Sequence, residues 1–371
     1  MNKLTENKGN NVNKNNLEMD DNIIMEYLKL CLDSENIDEI KNFMTLIKKH
    51  VMGAPSTDEY IDLLNNNVKI KKQYLIEDIN QILETKTIER TKYYINRLKK
   101  GISIIKTNKI NDINLNRWKE YDDIITDSLW IFNKRDNTGI HSAGYWGNYI
   151  PQIPNQLLRR YTKKGEWVLD PFLGSGTTLI ECKKLERNGI GIELQKEVVN
   201  QTVELLKQDT LNTTKSIIEA YHGDSATIDT NKILKENNIN GVQFITYHPP
   251  YWDIIKFSDD KRDISNAETL EEFIKGFEKI INNTLPMLDN NRYFAITIGD
   301  KYCNGEWIPL GYYTMDMVLK KGHKLKSIIV KNFEDTKGKR NQKELWRYRA
   351  LSGNFYVFKH EYIFLFQKTS K

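Results

Sequence analysis

Two kinds of hydrophobic spacing divide this chain. From residue 21 to about residue 125, apolar side chains recur at three- and four-residue intervals, the period of an amphipathic helix. Residues 23–32 show it. Residues 37–47 repeat it after Ser34, a residue type that caps helix starts. Residues 60–64 and 74–83 continue the pattern. Residues 87–105 form a longer stretch carrying Arg90, Lys92, Arg97, Lys99 and Lys100, which suits a solvated helix face or a DNA-backbone or partner contact. Near Trp130 glycines and aromatics appear, and short apolar runs begin to alternate with helical segments. The runs at 167–169, 189–192, 217–222, 241–247 and 292–298 read as strands. Residues 155–161, 177–185, 196–208, 270–285 and 313–320 read as helices, and 324–331 with 361–367 as a closing hairpin. Such alternation predicts an α/β fold with an open, mostly parallel sheet, preceded by a helical region.

Composition changes this picture little. The chain has 371 residues, 39% hydrophobic and 28% charged, which suits a globular protein of two or three domains. Three divisions are expected: a tail at 1–20, a helical accessory domain at 21–128 and an α/β domain at 129–371. The tail is rich in Asn and Lys, has too few apolar groups to offset ordering entropy, and lacks the apolar core of a signal peptide. No apolar run reaches the ~18 residues of a membrane span. Cys31, Cys182 and Cys303 are too scattered for a disulfide framework or a zinc site, so no metal is expected. A net charge of +5 is compatible with nucleic-acid binding without requiring it. A cytoplasmic, nucleoid-associated setting is expected.

The chemistry concentrates in two segments. The first is Val-Leu-Asp-Pro-Phe-Leu-Gly-Ser-Gly-Thr-Thr over 168–178. It reads as a strand, a glycine turn that lets a ligand approach the backbone, and a helix start. Glu193 closes the next strand, where an acidic residue can accept ribose hydroxyls. The second is Tyr-His-Pro-Pro-Tyr-Trp over 247–252, at the carboxyl end of a buried strand. Ligands of open α/β sheets bind at that edge. The prolines fix the backbone, and Tyr251 offers a flat surface for an unstacked ring.

The pair of segments resembles the S-adenosylmethionine-dependent amino-methyltransferases of DNA, over roughly residues 140–367. The resemblance implies a Rossmann-like methyltransferase sheet. It implies S-adenosylmethionine held by Asp170, Phe172, Gly174, Ser175, Gly176 and Thr177, with Glu193 on the ribose and Asp224 near the adenine. The loop at 149–156 resembles the family segment that feeds the cofactor helix. His248, Pro249, Pro250 and Tyr251 are the implied catalytic residues. Acceptors around an exocyclic amino group free its lone pair, and Tyr251 stacks on the flipped base. The first position of this turn is usually Asp, Asn or Ser in the family, and here it is His248. Neutral imidazole accepts a hydrogen bond and imidazolium does not, so activity is expected to fall at acidic pH.

Double-stranded DNA is the implied partner, with Trp252, Lys339, Arg340, Arg347 and Arg349 as contacts. The basic, aromatic stretch 331–358 reads as a mobile recognition loop or as a plain solvated one, and 259–266 as a second loop beside the pocket. The Pro-Pro-Tyr-Trp wording favours cytosine N4 narrowly over adenine N6. A restriction or regulatory protein is the other partner considered. The cradle precedes the catalytic turn here, the reverse of many relatives with this cradle wording. Two rival readings stay open at this point: an amino-methyltransferase of RNA, and an inactive DNA-binding subunit that keeps the fold.

Overall fold

The computed structural model describes residues 21–53, 60–63, 68–141, 145, 147–208, 215–333 and 343–369. The expected tail at 1–20 lies outside them. The chain divides into two compact units, one of residues 1–107 and 114–122, the other of residues 108–113 and 123–371.

The first unit holds α1 (Asp21–Asp33), α2 (Ile37–Gly53), β1 (Tyr60–Leu63), β2 (Val68–Lys71), α3 (Lys72–Leu83) and α4 (Ile88–Ser103). Leu28, Ile40, Met44, Ile47, Ile79, Ile95 and Leu98, all at helical spacing, form its buried core. Thr87 caps α4 by accepting from the Arg90 amide. The α2 cap is Asn36 rather than Ser34: its Oδ1 accepts from the Asp38 and Glu39 amides, while Ser34 Oγ accepts from the Asn36 amide. Helix was expected at 60–64, but β1 pairs antiparallel with β2, Tyr60 opposite Lys71. The apolar stretch there is too short to separate the two periods. On α4, Lys92 pairs with Glu35 and the Arg90 guanidinium lies over Tyr94, so part of the basic stretch is engaged within the unit.

The second unit is built on β3 (Leu129–Trp130), α5 (Gln152–Tyr161), β4 (Trp167–Asp170), α6 (Thr177–Lys184), β5 (Asn188–Glu193), α7 (Lys196–Lys207), β6 (Ile218–His222), α8 (Thr230–Glu236), β7 (Val242–Tyr247), α9 (Leu270–Thr284), β8 (Leu288–Ile298), β9 (Lys301–Cys303), β10 (Glu306–Ile308), α10 (Leu310–Lys320), β11 (Lys324–Asn332), α11 (Lys343–Ser352) and β12 (His360–Gln367). One eight-stranded sheet runs in the order β3-β11-β12-β8-β7-β4-β5-β6. The α/β expectation is thereby met. β4, β5, β6, β7 and β8 are mutually parallel, and β12 runs antiparallel between β8 and β11.

Alternation along the central strands sorts their side chains onto two faces. Leu169, Ile245, Phe294 and Phe366 pack with Phe273 and Phe277 of α9. Val168, Phe244, Ala295 and Leu365 pack with Ile153 and Leu157 of α5. Both faces are covered, as a parallel sheet requires.

β2, β3, α8, the β9–β10 hairpin and α11 were not legible in the hydrophobic pattern. The stretch 331–358 is not a single loop. Lys331 and Asn332 finish β11, and 343–352 is helix α11. The segment 259–266 is a pinned turn: Asp260 pairs with Arg262, and Asp263 accepts from Ser258 Oγ and the Ser265 amide. No helix among the described residues is long and apolar enough to cross a membrane.

Candidate functional site

Strand order decides where the two sequence segments meet. From β4 the chain builds outward to β5 and β6, then returns to β7 on the other side of β4. That reversal opens a crevice between β4 and β7 at their carboxyl ends. Leu169 lies in register with Ile245, so Asp170 and the glycine turn leave the same sheet edge as His248 and the Pro-Pro turn. β12 starts at this edge because it runs antiparallel, with Tyr362 opposite Ile298 and Glu361 opposite Lys331, near the end of β11.

The glycine turn is shaped for close approach. Gly174 and Gly176 have φ of +50° and +80°, a region that side chains rarely adopt. A Cβ on Gly176 would stand 2.5 Å from Thr202 Cγ2, and one on Gly174 would stand 3.2 Å from the Tyr145 ring. Thr202 Oγ1 donates to the Gly174 carbonyl at 3.0 Å. Glu193 folds across this turn, accepting from the Gly174 amide at 2.9 Å and the Gln195 amide at 3.0 Å. Burial raises its pKa. Tyr145 stacks on Phe257, with ring centroids 6.2 Å apart, over the same turn. Burial pushes its phenol up, and Glu193 and Asp263 add to the effect.

Asp170 is buried. Its Oδ1 accepts from the Phe172 amide at 2.9 Å, and its Oδ2 accepts from Thr178 Oγ1. Burial pushes this carboxyl up to about 6. Since the Thr178 hydrogen goes to Asp170, Tyr149 must donate its own to Thr178 Oγ1. Thr177 donates to Asn148. Ser175 is half-buried in the turn, and Phe172 leans on Phe277 at 5.9 Å. Asp224 lies beyond β6, where its carboxylate accepts from the Ala226 amide and Thr227 Oγ1. A buried pair between His141 and Glu181 of α6, at 2.6 Å, anchors the start of the loop that delivers Tyr145 and Tyr149.

The Tyr149 ring joins this cradle to the second segment. It stacks on His248 at 4.5 Å and 18°. His248 Nε2 is 3.3 Å from the Tyr251 hydroxyl, which donates to Glu361 Oε2 at 2.7 Å. Glu361 Oε1 accepts from the Lys331 ammonium at 2.9 Å, in an ion pair whose side chains are 9% and 6% exposed. Pro249 is buried and Pro250 half-buried. Tyr251 lies edge-on to Gly299, where a Cβ would come within 2.9 Å of its ring.

Burial holds the His248 imidazole at about 4, with Glu361 opposing and Lys331 assisting. The ring is therefore neutral across ordinary working pH. The expected acidic fall in activity moves well below the ~6.5 of a free imidazole. An NMR titration of His248 should show a midpoint near pH 4. Because folding depresses this pKa, the stability carried by the neutral ring is complete above about 6.5 and is lost as pH falls toward 4. A midpoint near 6.5 would mean that the ring is not enclosed.

Two groups of expected contacts fare differently. Trp252 sits in the left-handed region with φ of +53°, its Nε1 donates to the Ala267 carbonyl, and the Lys301 ammonium lies 4.1 Å over its ring. Arg347 and Arg349 are exposed on α11, with Arg349 over the Trp346 ring. Lys339 and Arg340 lie outside the described residues. Lys331, within the stretch read as a basic loop, is a buried strand residue paired with Glu361, so it cannot contact phosphates. Sequence reasoning missed Tyr145, Thr202 and Glu361, and gave Thr178 no role beyond the helix start. Tyr145 lies just before the loop noted at 149–156, and Thr202 on the helix expected at 196–208. Glu361 carries no local signal, because only the antiparallel insertion of β12 brings it to the site.

A family model for DNA methylase of the N6/N4 methyltransferase type matches residues 7–204 and 242–371. Among curated proteins, the chain is similar to the Type II methyltransferase M.MjaII of Methanocaldococcus jannaschii, 33% identical over 27% of this chain and 21% of that protein. It is similar to M.Cfr9I of Citrobacter freundii, 34% identical over 23% and 30%, and to M2.DpnII of Streptococcus pneumoniae, 47% identical over 14% and 20%. The matches thus span less than a third of these relatives' lengths. Among solved structures, a methyltransferase from Pyrococcus furiosus overlays with a TM-score of 0.38 at 13% identity, over 62% of this chain and 88% of that one.

Proposed function

The chain belongs to the N6/N4 DNA methylase family, and we propose that it transfers a methyl group from S-adenosylmethionine to the N4 amino group of a cytosine flipped out of double-stranded DNA. The observation that carries this reading is the register of β4 with β7, which sets Asp170 and the glycine turn beside His248 and the Pro-Pro turn. The cradle fits the donor: its carboxylates suit a cationic ligand, and its turn has no room for a Cβ at Gly176. Asp170 and the turn amides would hold the methionine part, and Glu193 the ribose.

Bound S-adenosylmethionine supplies an electrophilic methyl group and leaves as the neutral thioether once the N–C bond forms and the S–C bond breaks. The protein's task is to hold the amino nitrogen in line and raise its nucleophilicity. His248 and the Pro249 carbonyl accept hydrogen bonds from the amino hydrogens, which draws the lone pair out of the ring. The methylated nitrogen then sheds one proton, which ends in water. Tyr251, fixed by Glu361 and Gly299, presents its ring to the base. Trp252, with Arg347 and Arg349 of α11 and the Lys339–Arg340 pair, is proposed for DNA contact. Cytosine is chosen over adenine on the Pro-Pro-Tyr-Trp wording. The names of the Type II relatives favour a role beside a restriction enzyme.

The test is modification sequencing of DNA from a methylation-free host expressing the protein, with Tyr251→Ala as control. One sequence motif should be modified with wild type only, and product analysis should return N4-methylcytosine. N6-methyladenine would replace the base assignment. No modified motif from soluble protein that binds S-adenosylmethionine would overturn the DNA reading.

A further inference from the structure

We infer that Glu361 is a positioning residue of the transfer site, which locks His248 in the tautomer bearing hydrogen on Nε2 and so keeps Nδ1 as the acceptor. The inference rests on the transfer reading for its functional consequence, but the tautomer itself follows from counting hydrogens. Lys331 carries only donors, and its ammonium bonds Glu361 Oε1. The paired carboxylate carries only acceptors, so the 2.7 Å bond between Glu361 Oε2 and Tyr251 uses the phenol's single hydrogen. The Tyr251 oxygen then has only lone pairs left for His248 Nε2, 3.3 Å away. Nε2 can bond there only as an N–H donor. A neutral imidazole has one hydrogen, so Nδ1 is bare. The stack on Tyr149 at 4.5 Å holds the ring plane, and the bond from Nε2 to the Tyr251 oxygen decides which nitrogen carries the hydrogen.

This solves a problem that His248 creates. An Asp or Asn at the first turn position presents an acceptor oxygen, whereas a free imidazole interconverts between tautomers. A ring with hydrogen on the wrong nitrogen would repel the amino group. The charges that settle the choice come from the ends of β11 and β12. The device is therefore assembled by topology and not by the turn itself.

The test uses full-length protein labelled with 15N-histidine, with His248 signals assigned by their loss in His248→Asn. Long-range 1H–15N correlation at pH 7.5 should show Nε2 protonated and Nδ1 bare. A protonated Nδ1, or averaged shifts from a tautomer mixture, would overturn the inference.

Glu361→Gln reverses the relay. Lys331 demands the amide oxygen, which turns the amide nitrogen toward Tyr251. The phenol hydrogen then points at His248 Nε2, and the ring should switch to the Nδ1–H form. Turnover should fall by about tenfold or more, with S-adenosylmethionine affinity unchanged. An unchanged tautomer with wild-type turnover would refute the role. Tyr251→Phe leaves the ion pair intact, so it guards against misfolding of the first variant. It should release the lock and populate both tautomers, and a single Nε2–H form there would also refute it. Absence of DNA methylation in wild type with the Nε2–H tautomer present would instead reject the transfer reading and leave the lock standing.

Discussion

Replacing His248 with alanine should lower kcat on the order of 100- to 1,000-fold while leaving S-adenosylmethionine affinity within about twofold. The size follows from where the group acts. The amino nitrogen is a weak nucleophile in the ground state and gains from an acceptor mainly as its lone pair leaves conjugation, so the loss falls on kcat and not on binding. His248→Asn restores a neutral acceptor that needs no tautomer lock, and should recover a large part of the activity. Stopped-assay kinetics with calorimetric binding would measure both. The ring also stacks on Tyr149, whose hydroxyl leads through Thr178 to Asp170. If alanine weakened cofactor binding in step with turnover, His248 would be a support of the cradle and not an acceptor.

How far the sequence carries can be judged at these same residues. Strand 167–170 is an apolar run ended by Asp170, and 242–247 is mostly apolar, broken by Gln243 and Thr246, before His248; such runs are legible because burial on both faces leaves few polar positions. The glycine turn is legible because the positive φ at 174 and 176 strongly favours glycine. Glu361 is not. It lies 110 residues from Tyr251, and nothing within its own strand distinguishes it from a solvent-facing carboxylate. Its burial comes from β12 inserting between β8 and β11, a long-range pairing that local periodicity cannot encode. Lys331 was misread for the same reason: beside Lys337 and Arg340 it looks like part of a basic loop, but the hairpin register buries it opposite Glu361. The β1 strand was misread because four residues are too few to separate a period of two from one of 3.6.

Asp170→Asn should weaken S-adenosylmethionine binding by roughly 10- to 100-fold and, at neutral pH, stabilise the ligand-free protein. Both effects come from one buried carboxyl. Burial pushes it from 3.8 up to about 6, with Glu193 adding, while Thr178 and the Phe172 amide oppose. Folding therefore raises this pKa. The neutral carboxyl is fully tolerated below about 3.8, and that tolerance is lost as pH rises through 6. At pH 7.5 the charge is held at a cost on the order of 3 kcal/mol, since each unit is about 1.4 kcal/mol. Asparagine keeps an acceptor for the Phe172 amide and carries no charge, so about half of that cost returns. A gain of about 1–2 kcal/mol would raise Tm by roughly 2–6 °C in a unit of this size. The gain should vanish at pH 4, where wild-type Asp170 is neutral too. A cationic ligand reverses the balance, because it pairs with the charge that the empty site tolerates poorly. Thermal unfolding at pH 4 and 7.5, with calorimetry of S-adenosylmethionine binding, tests both halves. A variant that binds the ligand like wild type would remove Asp170 from the cradle, and a stability gain equal at both pH values would show that the buried charge is not its source.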